Sequence, residues 1–227
     1  MKIIKILLSI VRQKIKSINL LYKLIIKTRS KTLSVIRAKG TYDDEDAAKE
    51  LSEHDLDKVY DYHKNFFQEK LKDSKEKTIL DFGCGTGRYL EIQKNFKKVY
   101  LVDLSKHNLK LASKIASELN INHSLIEKSL FALNKKVDCF FSVGVFGQQY
   151  PFDKKVIKKI YTLLKKDGVG VFSIKLDDEY NIEPLSLDED SVFNFLKPYK
   201  HKIEKESFPT FDGRVDDFLI VSLFRDS

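Results

Sequence analysis

The residues best placed to do chemistry lie in the segment Thr78-Ile79-Leu80-Asp81-Phe82-Gly83-Cys84-Gly85-Thr86-Gly87-Arg88-Tyr89-Leu90. A mostly apolar run ends in three glycines at alternate positions and then enters a helical pattern. Glycine permits positive φ and lets backbone approach a ligand where a Cβ would clash. The loop therefore places a flat ligand near the end of a strand, with N–H groups of the next helix close by. Read more plainly, the same glycines make a tight turn. The second signal is Val99-Tyr100-Leu101-Val102-Asp103-Leu104-Ser105, in which Asp103 follows an apolar run 18 residues after Gly85. A carboxylate at that point accepts hydrogen bonds from both hydroxyls of a ribose. Its plain alternative is an acid that caps the helix beginning near Lys106.

The elements that must hold these groups follow from periodicity. Short apolar runs predict strands at Thr78 to Phe82, Val99 to Val102, Ser124 to Ile126, Val137 to Val143, Val169 to Ile174 and Phe218 to Phe224, with a more polar one around Lys202 to Phe208. Helical spacing falls between them at Arg88 to Gln93, Lys106 to Leu119, Lys154 to Leu164 and Asp188 to Leu196. Alternating strands and helices specify an α/β, doubly wound and mostly parallel sheet covered on both faces. The last two strands enclose Pro209 to Asp217 without a helix, which predicts a C-terminal antiparallel hairpin.

Thr78 to Leu90 resembles the first motif of the class I, Rossmann-like S-adenosylmethionine-dependent methyltransferases, and Leu101 to Ser105 resembles their second. The resemblance covers roughly Lys77 to Phe224. It implies a seven-stranded sheet with a final antiparallel strand and S-adenosyl-L-methionine as cofactor. It also implies that Asp81 and the backbone of Gly83, Cys84, Gly85 and Gly87 face the methionyl part, and that Asp103 binds the ribose. A dinucleotide site would need Gly-x-Gly-x-x-Gly; here the spacing is Gly-x-Gly-x-Gly and Arg88 stands at the sixth position. After the third strand the family commonly carries an acid for the adenine amino group, whereas this chain has Ser129 there. Ser129, Glu127 or backbone groups are the candidates for that contact. Leu104 and Leu130 are candidate walls for the adenine, or ordinary core residues.

Methyl transfer from a sulfonium is an in-line displacement, so the protein has mainly to align the partners. The segment Ser142 to Pro151, after the fourth strand, is the expected acceptor-pocket loop, with Phe146 and Tyr150 as walls and Gln148 and Gln149 as polar contacts; the same residues also make a plain turn. No catalytic residue is assigned. His63, in a helical pattern before the first strand, is a weak base candidate and otherwise a solvent-facing residue. The remaining histidines, His54, His107, His123 and His201, have no metal-ligand spacing, and Cys84 and Cys139 sit in the glycine loop and in an apolar strand, so no metal is expected. The expected acceptor is a hydroxyl or amine of a small molecule, lipid or glycan. An RNA methyltransferase and a noncatalytic cofactor-binding adaptor are the alternatives.

Charge is distributed unevenly. Residues 1–40 carry eleven Lys/Arg and no acid, which leaves 30 Lys/Arg against 33 Asp/Glu in residues 41–227. The net charge of +8 is therefore a property of an N-terminal appendage. Residues 3–26 read as an amphipathic helix with a broad apolar stripe (Ile4, Leu7, Leu8, Val11, Ile15, Ile18, Tyr22, Ile25). No apolar stretch approaches the roughly 18 to 20 residues that span a bilayer, and no small-residue cleavage site follows Ile6 to Val11. Two cysteines in such a chain suit a reducing cytoplasm. The chain divides into a basic appendage and connector (1–40), a helical cap or linker (41–76) and a Rossmann-like domain (77–227). Residues 1–30 are expected to lie on an anionic membrane surface; packing against the catalytic domain or another subunit satisfies the stripe equally, and RNA would use only the charge. The expected outcome is co-sedimentation of the full chain with anionic but not neutral vesicles, abolished by deletion of residues 1–30; binding unchanged by the deletion refutes the membrane role.

Overall fold

The computed structural model describes residues 44–54, 58–72, 76–177, 185–209 and 215–226. The predicted helix at 3–26 and the rest of the basic appendage lie outside them. Two helices, α1 (Glu45–His54) and α2 (Val59–Lys70), precede β1 (Thr78–Phe82), α3 (Leu90–Gln93), β2 (Lys98–Asp103), α4 (Lys106–Glu118) and β3 (His123–Glu127). A short 3-10 turn (Leu130–Ala132) leads to β4 (Val137–Phe146), α5 (Lys154–Leu163), β5 (Leu164–Lys175), α6 (Glu189–Leu196), β6 (Lys200–Pro209) and β7 (Val215–Phe224).

The strands form one sheet of seven in the order β3-β2-β1-β4-β5-β7-β6. Neighbours from β3 to β5 pair in parallel, and β7 is antiparallel to both β5 and β6. The doubly wound sheet and the C-terminal hairpin are thus as the periodicity implies. With β7 reversed between them, β6 and β5 point the same way, so Pro209 stands on the same edge as Gly83, Asp103 and Lys175. That carboxyl edge carries the site.

Each face of the sheet is buried under its own helices. On one side, α5 turns Val156, Ile157, Ile160 and Leu163 inward at spacings of three and four, and Asp153 caps it by accepting from the N–H groups of Lys155 and Val156. These side chains pack with Leu80, Phe140, Phe146 and Phe172. On the other side, α4 presents Leu109, Ala112 and Ala116, and its N-cap Ser105 accepts from Asn108 N–H. Alanine there lets the helix approach β2 closely. The same face takes α2, whose fully buried Phe67 meets the rings of Tyr89, Phe141 and Phe208 at 5.8, 5.6 and 6.2 Å. A ring touching the glycine-loop region, β4 and β6 together makes α2 a beam across the sheet.

An ion pair that the sequence does not announce closes the edge. Lys175, ending β5, donates to Asp216 near the start of β7 at 2.7 Å, with side chains 1% and 5% exposed. Two antiparallel strands gain a fixed register this way, and the attraction between the two buried charges offsets part of their loss of hydration. Asp216→Ala is expected to destabilise the fold by about 3–5 kcal/mol in a denaturant titration, whereas the apolar pair Lys175→Met with Asp216→Leu stays near wild type or above it. Equal losses in both variants refute the account.

Candidate functional site

The glycine loop continues the β1–β2 ladder. Gly83 and Cys84 N–H both donate to the Val102 carbonyl, at 2.8 and 3.1 Å, one step beyond the last paired residues, Phe82 and Val102. All three glycines have positive φ, at 71°, 53° and 102°. They are glycine for two reasons. A Cβ on Gly83 would stand 2.4 Å from Val145 Cγ2, and one on Gly87 would stand 2.6 Å from Leu90 Cδ1 and 3.3 Å from Ala112 Cα, so the fold itself excludes side chains there. Among the described residues a Cβ on Gly85 would meet Leu51 Cδ2 at 3.7 Å and nothing else within 4 Å. That open side of Gly85 is the candidate cradle.

Asp103 is bonded into the same loop. Its Oδ2 accepts from Gly85 N–H at 3.0 Å and its Oδ1 from Ser105 N–H at 2.9 Å. Burial raises its pKa, opposed by those N–H groups, Leu104 N–H and the Asn108 side chain. The capping function suggested by the sequence belongs to Ser105 instead, which frees the Asp103 carboxylate for the cradle. Asp81, 3% exposed, accepts from Gln93 Nε2 at 2.7 Å. Its pKa is pushed up to about 7, chiefly by burial and further by the nearby Asp103, against the lowering effect of Gln93. The sequence reading missed Gln93, although its position three residues after Leu90 on one short helical face was the available signal. Cys84 is buried, with its thiol raised by burial, and Cys139 likewise, so neither is a thiolate nucleophile. Among the described residues no group of three His, Cys, Asp or Glu could hold a metal ion.

Around the expected adenine contacts, Ser129 and Leu104 are half-buried, Glu127 is exposed and Leu130 is fully buried in the core. The acceptor segment differs from the expected loop. Strand β4 runs on to Phe146, because Phe146 pairs with Ile174 of β5 after a register shift. Phe146 is fully buried, in ring contact with Phe82, Tyr150, Phe152 and Phe172, and is a core residue rather than an open wall. Tyr150 is buried too, its phenol pushed up to about 12 by burial and by Asp153. Gln148 and Gln149 stay half-buried in the turn. A Cβ added to Gly144 would come to 3.5 Å from Gln148 Oε1, which sets that amide over the half-buried Gly144 backbone.

His63 corrects the expectation of a solvent-facing residue. It is 7% exposed, its ring 4.2 Å from that of Phe208 and 5.3 Å from that of Tyr60. Burial and the Arg88 guanidinium bring its pKa down to about 4, against a bond to the Pro209 carbonyl, so it is neutral near pH 7. Arg88 itself lies 3.8 Å over the Tyr60 ring. The structure thus brings Asp81, Gly85 and Asp103 together at one end of the edge and His63, Tyr60 and Phe208 at the other, with Arg88 between.

Residues 79–168 match the family model described as a methyltransferase domain. The matched segment runs from β1 into β5, and the fold around it is Rossmann-like. No curated protein sequence matches it significantly. Among solved structures it is similar to the Burkholderia thailandensis 1,6-didemethyltoxoflavin-N1-methyltransferase, with a TM-score of 0.66, 15% identity, 87% of this chain covered and 90% of that one. It is similar to the Synechocystis magnesium protoporphyrin IX methyltransferase, with a TM-score of 0.61, 14% identity and coverages of 76% and 86%. It is also similar to TehB from Haemophilus influenzae, with a TM-score of 0.59 and 15% identity, covering 70% of this chain and only 60% of TehB's length. S-adenosylmethionine is the cofactor that the matched domain implies. The open Gly85 face beside two buried carboxylates fits a ligand with ribose hydroxyls and positive charge.

The two carboxylates also set a pH dependence. A folded-state pKa raised above the usual carboxylate range favours the protonated apo protein, a contribution to stability present below about pH 4 and lost as pH rises through 7. A cationic ligand favours the ionised acids, so binding expels a proton below pH 7. The expected outcome is cofactor affinity that rises by up to about tenfold per pH unit between pH 6 and 7 and levels off above pH 8. Asp81→Asn is expected to flatten this dependence in calorimetric titrations; a slope unchanged in the variant excludes Asp81 as its source.

Proposed function

We propose that this protein transfers the methyl group of S-adenosylmethionine to a hydroxyl or amine of a small molecule, lipid or glycan. The observation that supports it is the pairing of the open Gly85 face with an Asp103 whose two oxygens are already oriented by backbone N–H groups. Its remaining lone pairs are the natural acceptors for ribose hydroxyls, and such bonds to an ionised group are strong. The bound sulfonium supplies the activated methyl carbon.

The chain's own residues do the rest by placement. Gly83 and Gly87 hold the loop against Val145 and α4, so Gly85 meets the ligand without a side chain between them. Leu104 and Ser129 are proposed to border the adenine, and Asp81 to face the cationic methionyl end. Gln148 and Gln149 are proposed to meet the acceptor at the end of β4. Residues 1–30 are proposed to bring the enzyme to a membrane surface. The near balance of charge in residues 41–227 supports a small acceptor over a polyanionic one.

Titration calorimetry of the full chain is expected to give saturable binding of S-adenosylmethionine and none of NAD; the opposite pattern rejects the reading. Asp103→Ala, folded by circular dichroism, is expected to weaken cofactor binding by about 1.5–3 kcal/mol. Unchanged affinity in that variant removes Asp103 from the ribose site.

A further inference from the structure

The outer surface of α5 carries a charge distribution that folding does not favour. Residues 128–166 contain nine lysines, no arginine and two acids, Asp138 and Asp153, which leaves 21 Lys/Arg against 31 Asp/Glu in the rest of residues 41–227. The near balance over residues 41–227 is therefore the sum of one basic segment and an acidic remainder. Helix α5 turns its apolar stripe inward, so that Lys154, Lys155 and Lys158 are exposed and Lys159 is half-buried. Lys159 Nζ donates to the Leu133 carbonyl and Lys136 Nζ to the Thr162 carbonyl, which ties the loop bearing Lys135 and Lys136 to the same helix. Arg225 Nη1 adds a cation just past its end, donating to the Leu164 carbonyl at 2.6 Å. The face runs from Lys128 and Lys154, near the carboxyl edge, to Lys136 and Lys166 at the opposite edge. It stops at α6, whose first turn carries Glu189 and Asp190.

Three features set this face apart from an ordinary solvated one. Lys154 and Lys155 occupy the first turn of α5, where the helix macrodipole disfavours a cation. Helices α1, α2, α3 and α6 each carry an acid in that turn instead. Lys154 with Lys158, and Lys155 with Lys159, repeat like charge at a spacing of four, which also opposes the helix. Among the described ion pairs only one engages these lysines, Lys165 with Asp138 at 2.9 Å, and the Asp153 carboxylate is taken up by the Lys155 and Val156 N–H groups. Charge that weakens its own helix is compensated when an anionic partner lies against it.

We propose that the α5 face is an electrostatic docking surface for an anionic lipid bilayer. The proposal goes beyond the methyl-transfer reading and does not depend on it. The absence of arginine from residues 128–166 favours lipid headgroups over nucleic acid, because arginine supplies bidentate phosphate contacts whereas lysine acts as a point charge. None of the exposed large apolar residues, Tyr62, Leu119, Leu125, Phe193 and Val215, falls in that segment, so no exposed ring is offered for base stacking. A bilayer reached both by the basic residues 1–30 and by this face would hold the domain in one orientation, since stable attachment takes two signals.

The full chain and its Lys154→Gln/Lys155→Gln/Lys158→Gln variant serve as the test. They are compared by co-sedimentation with vesicles of equal parts phosphatidylglycerol and phosphatidylcholine, by thermal unfolding without lipid, and by acetylation of lysines on the vesicles. Neutralising the three charges is expected to weaken vesicle binding by about tenfold or more and to raise the unfolding midpoint or leave it unchanged. Vesicles are expected to protect Lys154, Lys155, Lys158 and Lys166 of the wild type from acetylation, while the exposed Lys110 and Lys114 of α4, across the sheet, stay reactive. Equal vesicle binding by variant and wild type overturns the proposal even where residues 1–30 bind, as does protection confined to residues 1–30. A lowered unfolding midpoint in the variant assigns these lysines to the fold and overturns it too. Preference of the wild type for an RNA duplex over the vesicles, lost in the variant, gives the face to nucleic acid instead.

Discussion

The parallel pairing of β1 with β2 is the constraint on which the rest of the site depends. The ladder does not stop at Phe82. It continues into the glycine loop, where Gly83 and Cys84 N–H groups share the Val102 carbonyl, and is completed by a side chain when Asp103 takes Gly85 N–H. A loop bonded on both sides to the neighbouring strand has few alternative conformations, so the cradle is built before any ligand arrives. Preorganisation of this kind removes an ordering penalty from binding. The positive φ values at Gly83, Gly85 and Gly87 are the geometry that this continued pairing demands, and glycine is the residue that adopts it without strain.

The same compactness brings two carboxylates into an interior where ionisation is unfavourable. Burial raises both Asp81 and Asp103, and the charge of Asp103 adds to the elevation of Asp81. Backbone N–H groups relieve Asp103, while Asp81 has the single amide of Gln93. Positive charge beside Asp81 would favour its ionised form, and Asp103 keeps lone pairs beyond those taken by the Gly85 and Ser105 N–H groups.

On the other half of the edge the sheet is sealed rather than open. Phe146 and Tyr150 fill the core below the turn, and the Lys175–Asp216 pair locks the first and last strands of the C-terminal part. A Cβ on Gly147 would stand 2.7 Å from the Lys175 carbonyl oxygen, so the turn after β4 is pressed directly on the end of β5. Beside that turn Gln148 and Gln149 are half-buried, and the aromatic cluster that α2 lays across the edge is enclosed apart from Tyr62. Rigid support beneath a small set of polar groups is the arrangement that orients a reactant.

Much of this was legible in the chain alone. Strands such as Thr78–Phe82 and Phe218 to Phe224 are nearly continuous apolar runs because both their faces are buried, and helices such as Lys154–Leu163 show their inward stripe at a 3.6 period; both are local consequences of burial. The glycine loop and Asp103 were legible for a related reason, since their conformations and spacing are properties of a single strand-loop-helix unit. The extension of β4 through Phe146 was not, because glycine at 144 and 147 reads as a turn until β5 is present to pair with it. Nor were the burial of His63, the Gln93 amide on Asp81, or the Lys175–Asp216 pair. The first and last join residues from distant segments through the crossing of α2 or the reversal of β7, while Gln93 folds back on Asp81 across the glycine loop; a polar side chain shows no sign in sequence of whether it will be solvated or enclosed. Periodic burial is written into every turn of a helix and every strand, whereas the partner of a buried polar group is chosen only when the layers close.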